Sequence, residues 1–259
     1  MVLGGLCIGI GEFLTFGAMV LAILGQIGQL SNNIVARNIR MAVITTTGTP
    51  GSQTDSFQDT LNVGGLYASN QAAEELQGNG IKERYDWGLY NLCGGDLQRD
   101  ADARFCTGHQ FGHRFQPYGT LVADAPDNLQ QQVAQAAPQD ATFADNEYLG
   151  KYTHAAFWLL FIGTIVAGLS FLAGFAAHRF AFLLAALLAL VGALLIGVGA
   201  AIWTAIAVRT SHSLKDANLG VNFAYGNALW FYWGAFVGEA LAIVPYILSC
   251  CAGRSKNDY

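Results

Sequence analysis

Only a few side chains in this sequence have the types and spacing that chemistry requires. Cys93 and Cys106 are the two cysteines of a long polar segment between two apolar runs. If that segment faces an oxidising space, a disulfide follows, and closing so short a loop stabilises it by roughly 3 kcal/mol. Two other outcomes stay open: a pair of free thiols, or a zinc site in which Cys106 joins His109 and His113. The zinc reading lacks a second Cys-x-x-Cys or a His-rich partner segment, and otherwise both histidines are loop residues. Cys250 and Cys251 close the last apolar run just ahead of Arg254 and are candidate S-palmitoylation sites, with an unmodified reduced pair as the alternative. Cys7 sits in an apolar stretch and reads as a small packing residue.

Two acids, Glu12 and Glu239, lie at or within apolar runs. An ionisable group in hydrocarbon is costly and marks a functional hypothesis. Glu12 is expected near an interface. Glu239 lies deeper, with Asn227, Thr204 and Gln26 as candidate hydrogen-bond partners. Three roles stay open for it: a structural contact, contact with a partner protein or lipid, and proton or ion translocation. Two isolated acids without matched basic residues do not make a transport path. His154 and His212 could face each other near the outer surface and respond to external pH. No Ser/His/Asp arrangement, phosphate-cradling glycine loop or metal triad is evident. No catalytic residue, cofactor or metal is therefore expected.

The elements that position these groups follow from where charge is absent. The chain has 259 residues, 53% hydrophobic and only 12% charged, about half the charge of an average soluble domain. With a net charge of −5 it offers no basic surface to nucleic acid phosphates. Residues 13–36, 155–177, 180–208 and 217–238 carry no charged side chain. A helix crosses the roughly 30 Å bilayer core in about 20 residues, so each run is a candidate span. The expected plan is a first transmembrane helix over 1–30, an outer domain over 31–153, and a second helix over 154–177. A turn at 178–179, a third helix over 180–208, a second outer loop over 209–223, a fourth helix over 224–249 and a tail over 250–259 complete it. The start lacks Lys and Arg and is interrupted by Glu12, which argues for a retained helix rather than a cleaved signal. Small residues at Gly5 and Gly9, Ala193 and Gly197, and Gly234 and Gly238 share helix faces four residues apart. They permit close packing, either within the bundle or against a partner.

The outer segment holds 14 acidic and 8 basic residues. Residues 34–46 are rich in β-branched types and predict a strand, and 47–52 a turn. Residues 61–76 look weakly helical, 83–92 and 115–122 predict strands, and 127–136 predict a helix followed by Pro138. The domain is expected to be mixed α/β.

Trp87, Gly88, Leu89 and Tyr90, followed by Cys93 and Cys106, resemble the Gly-Leu-Trp-x-x-Cys…Cys pattern of the claudin superfamily, with Tyr90 where that pattern has Trp. Within that group the chain is most similar to the fungal Sur-seven/PalI family of four-span plasma-membrane proteins. This similarity rests on residues 28–31 leading to 37–39, on 200–215 leading to Leu219 and Gly220, and on 234–239. The resemblance implies a mainly α membrane protein: a four-transmembrane-helix bundle with a claudin-like mixed α/β extracellular domain between helices 1 and 2 and both termini cytoplasmic. It also implies a non-enzymatic protein of the plasma membrane, associated with eisosomes, cell-wall integrity, endocytosis or ambient-pH signalling. The alternative is an auxiliary subunit of a larger transporter, pump, channel or cell-wall synthase. The expected partners are membrane lipids and either further copies of the chain or a larger integral membrane protein.

Overall fold

The computed structural model describes residues 2–31, 33–47, 56–68, 79–95, 105–138, 141–176 and 179–252, with backbone only at 2–6, 179 and 250–252. Four long helices are apolar enough to cross a membrane: α1 (Val2–Gln26), α5 (Asn146–Gly174), α6 (Arg179–Ala217) and α7 (Asn227–Ala252). Between α1 and α5 lie β1 (Ala42–Thr45), α2 (Phe57–Leu61), β2 (Arg84–Trp87), β3 (Leu92–Gly95), β4 (Phe105–Cys106), α3 (Pro117–Asp124) and α4 (Asp127–Ala136). A last strand, β5 (Asn222–Tyr225), precedes α7. The chain divides into two compact units. One comprises residues 1–26, 156–201 and 228–259; the other comprises 27–155 and 202–227.

The membrane unit is organised by a repeat of 3.5 residues rather than by an apolar stripe. Buried positions alternate in steps of three and four: Gly11, Thr15, Ala18, Ala22 and Gly25 on α1, and Ala156, Leu160, Gly163, Ala167 and Ser170 on α5. Phe182, Ala185, Ala189, Gly192 and Ile196 continue it on α6, and Ala228, Tyr232, Ala235, Glu239, Ala242 and Tyr246 on α7. That period keeps one seam facing its neighbours in left-handed helix packing. The seam is mostly Gly and Ala because lipid is as apolar as Leu, so close backbone approach, not hydrophobicity, holds such helices together. A methyl added at Gly25 would meet the ring of Tyr232, one at Gly11 the ring of Tyr246, one at Gly163 Ile196, and one at Gly199 Leu160. Outward-facing branched and aromatic residues such as Phe13, Ile165, Leu172, Leu194, Trp230 and Val244 are exposed.

The other unit is built on a five-stranded antiparallel sheet in the order β4-β3-β2-β1-β5. Its core includes Ile44, Phe57, Leu66, Ile81, Tyr85, Trp87, Phe115 and Trp203, all essentially inaccessible to solvent.

Several elements differ from the sequence expectation. Residues 115–122 form no strand: Pro117 starts helix α3, its fixed φ suiting the first helical position, and Tyr118 and Leu121 bury one face of it. Residues 83–92 are not one strand but parts of two, broken into a hairpin at Gly88–Asn91. Only residues 42–45 of the expected strand at 34–46 pair. Residues 36–38 instead make a 3₁₀ turn, with the Ala36 amide donating to Asn33 Oδ1 at 2.7 Å. The expected helix at 61–76 stops at Leu61, where Asn62 turns left-handed; residues 69–76 lie outside the described residues. Helix α5 begins at Asn146 rather than 154, and α6 continues to Ala217, so most of the expected outer loop at 209–223 is helix, followed by strand β5. The turn expected at 47–52 lies, after Thr47, outside the described residues, as does His178 of the expected turn at 178–179. Helix α4 spans the expected residues.

Candidate functional site

The β2–β3 hairpin gathers the motif residues. Cys93 and Cys106 stand directly opposite each other on β3 and β4 and are joined by a disulfide. Cys106 is thereby removed as a metal ligand. His109 is exposed and His113 half-buried. Among the described residues no three His, Cys, Asp or Glu side chains converge. Trp87 ends β2, opposite Leu92 and Ala42, and its ring meets the edge of Phe115 at 5.2 Å. Phe115 in turn packs against Trp203 at 5.7 Å and Phe223 at 6.4 Å. One ring thus ties the hairpin to residues from α6 and β5.

Gly88 is required by close approach: a Cβ there would press on the Gly28 carbonyl and the Gln29 side chain. Its amide donates to the Asn91 carbonyl at 2.9 Å. The buried Asn91 side chain donates to the Gln29 carbonyl. Gln29 is itself left-handed, and its side-chain amide donates to the carbonyls of Arg37 and Ile39. Leu89 is buried in the turn, while Tyr90 meets Phe111 edge-on at 5.7 Å. The motif therefore anchors the segment that leaves α1 to the disulfide hairpin.

Two buried polar groupings, unmarked by any sequence motif, brace this arrangement. Asp86, 1% exposed, takes Arg84 at 2.9 Å and Arg40 at 3.2 Å. On the other side of the hairpin Tyr85 donates to Asp124 at 2.6 Å, and the Lys82 amide donates to the Tyr85 hydroxyl at 2.9 Å. Burial raises the Asp124 carboxyl to about 6, opposed by the Tyr85 hydrogen bond and the Lys82 charge. Burial lowers both Lys82 and His113. Asp124 also lines a cleft of about 350 Å³ whose polar side chains include Gln110, His113, Arg114, Gln116 and Asn146. A sequence signal did exist for Asp86, since a charged residue alternates there with Tyr85 and Trp87 in a strand that buries both faces.

The remaining candidates fall in or beside the membrane unit. A Cβ at Gly238 would meet Ala18 and the Leu14 carbonyl, one at Gly234 would meet Leu21, and one at Gly197 would meet Phe236. Ala193 is buried. These small residues are therefore used in packing among α1, α6 and α7. Glu239 is fully buried, and neither of its carboxylate oxygens has a hydrogen-bond partner. Two of the three expected partners are seen engaged elsewhere: Gln26 with Thr164, and Asn227 with Arg40 and Asn38. His154 Nδ1 pairs with the Gly112 carbonyl at 2.9 Å, and His212 is exposed. The side chains of Cys250 and Cys251 lie outside the described residues.

Against known proteins, the sequence model of the SUR7/PalI family matches residues 7–244, nearly the whole chain. No curated protein matches.

Proposed function

The chain belongs to the SUR7/PalI family, and from that premise we propose that this multi-pass membrane protein is a non-enzymatic organiser of plasma-membrane domains. The domains would be of the eisosome type in a fungal cell surface, serving cell-wall integrity or endocytosis. The large segment and the α6–α7 connection face the exterior, and both termini face the cytoplasm. The Cys93–Cys106 disulfide supports that orientation, because such bonds persist in oxidising compartments, and an even number of spans returns the chain to its starting side.

One observation carries the organiser reading over the accessory-subunit one. The small-residue pairs at 234/238 and 193/197, which could dock a larger helical partner, are turned into the bundle, where Gly238 meets Ala18 and Gly197 meets Phe236, and Gly9 alone of the described pair members stays open. What remains outward is a lipid-facing surface of branched and aromatic side chains. Such a surface suits lateral association through lipids and the sheet unit.

Purification from native membranes in mild detergent, paired with imaging of the tagged protein, tests the reading. Homo-oligomers in static surface patches support it. A larger channel, transporter or synthase recovered at fixed stoichiometry would replace it with the accessory-subunit function.

A further inference from the structure

Glu239 is a charge problem that the membrane unit does not solve internally. Its side chain is fully buried, and both carboxylate oxygens lack a hydrogen-bond partner. It lies seven residues from Tyr232 and seven from Tyr246 on the buried face of α7. Those two tyrosines meet Gly25 and Gly11 of α1, themselves two heptads apart, and Gly238 meets Ala18 midway between them. The same register brings Glu239 to the level of Ala18, and its neighbours one turn away on α7 are Ala235 and Ala242.

The groups available to neutralise it can be enumerated. Helix α1 brings Glu12 and Cys7, and the described side chains of α7 bring Tyr232 and Tyr246; those of α5 and α6 in this unit bring nothing titratable. The unit's described side chains include no Lys, Arg or His. An unpaired carboxylate in hydrocarbon costs several kcal/mol or more, so the neutralising species must enter from solution. A hard metal cation needs about six oxygen ligands, which a wall of alanines does not supply. A proton needs one oxygen, and Glu239 provides it.

The hydroxyl of Tyr246 is engaged elsewhere and does not neutralise Glu239. Tyr246 donates to Glu12 Oε1 at 3.1 Å, and the Thr15 hydroxyl lies 3.0 Å from the Tyr246 hydroxyl. Glu12 is only half-buried, and its second carboxylate oxygen has no hydrogen-bond partner. We propose that Glu239 is a proton-binding site inside the helical bundle. The site follows from burial and composition and does not depend on the organiser role.

Dicyclohexylcarbodiimide, an apolar reagent that attacks protonated carboxyls, tests the site in the full chain in native membranes. The carboxyl proton passes to a carbodiimide nitrogen, the carboxylate oxygen bonds to the central carbon, and the adduct rearranges to a stable N-acylurea. Peptide mapping is expected to find the adduct on Glu239, to show it falling as pH rises, and to lose it in Glu239→Gln. Infrared difference spectra of the wild-type protein supply a readout that does not need the variant to fold. They should show the carbonyl stretch of a buried carboxylic acid. Labelling confined to Glu12, or an infrared spectrum with carboxylate bands alone, overturns the site.

Discussion

The ring of Tyr232 on α7 lies directly over Gly25 on α1, where a single added methyl would collide with the ring carbons. The same contact recurs two heptads away between Tyr246 and Gly11. Two large rings seated on two glycines fix the antiparallel register of α1 and α7, and Ala18 and Gly238 fill the space between.

Gly25→Ala is therefore expected to destabilise the bundle by about 1–3 kcal/mol, the usual cost of overpacking. Gly9→Ala, where nothing lies within 4 Å of the added carbon, is expected to leave stability unchanged or slightly raised. Thermal unfolding of the two variants in the same detergent checks the contrast. Equal effects would show that the Tyr232 contact does not set the register.

Asp86 is held by two arginines, and the consequence is graded. Arg40→Met leaves Arg84 on the carboxylate and should cost little, whereas the Arg40→Met, Arg84→Met double variant takes both guanidinium groups from a buried carboxylate. Breaking a buried ion pair from one side costs about 3–5 kcal/mol, so the double variant should lose far more than twice the single loss. Chemical denaturation of the two single variants and the double variant measures the coupling.

The spans and the disulfide pair were legible because their signals are local: long uncharged runs, and two cysteines alone in a polar segment. The helical seam was legible too, but only in part. Hydrophobicity does not mark it, since the lipid-facing side is equally apolar, and the small-residue pairs at 234/238 and 193/197 are fragments of a longer three-and-four spacing through Tyr232, Glu239 and Tyr246. Strand β5 carried no adequate signal. Four residues after a helix become a strand only because β1 offers a free edge, a non-local fact. Residues 115–122 misled because Tyr118 and Val122 favour strands by type. Pro117, and burial of Tyr118 and Leu121 on one helical face, outweighed that preference.

The Cys93–Cys106 bond crosslinks the shortest strand of the sheet, β4, to β3. Its loss leaves two residues of pairing at that edge, too few to hold alone. Cys93→Ser with Cys106→Ser is expected to cost about 2–5 kcal/mol while the four spans still insert, because each is long and apolar enough to cross the membrane. Limited proteolysis with the cleavage sites mapped, compared with glycerol-gradient sedimentation of the full chain, distinguishes loss of the edge from loss of the whole fold.

Asp124 makes the stability of the sheet unit depend on pH in a direction opposite to that of an ordinary salt-bridged carboxylate. Its carboxyl is raised from 3.8 to about 6, chiefly by burial, against the Tyr85 hydrogen bond and the Lys82 charge. Between those values the folded state binds more protons than the unfolded one, so stability falls as pH rises. The contribution is fully present below about 3.8 and is lost as pH passes through about 6. At about 1.4 kcal/mol per pH unit, the swing is on the order of 2–3 kcal/mol. Asp124→Asn retains an acceptor for the Tyr85 hydroxyl and has no charge to desolvate. It should therefore flatten this part of the profile and stabilise the unit at pH 7.5 relative to the wild type. Denaturant midpoints of both proteins between pH 4.5 and 7.5, followed by tryptophan fluorescence from the Trp87 and Trp203 cluster, provide the check. A wild-type stability that rises with pH across that window would mean that ionised Asp124 is stabilised by Lys82 more strongly than burial penalises it.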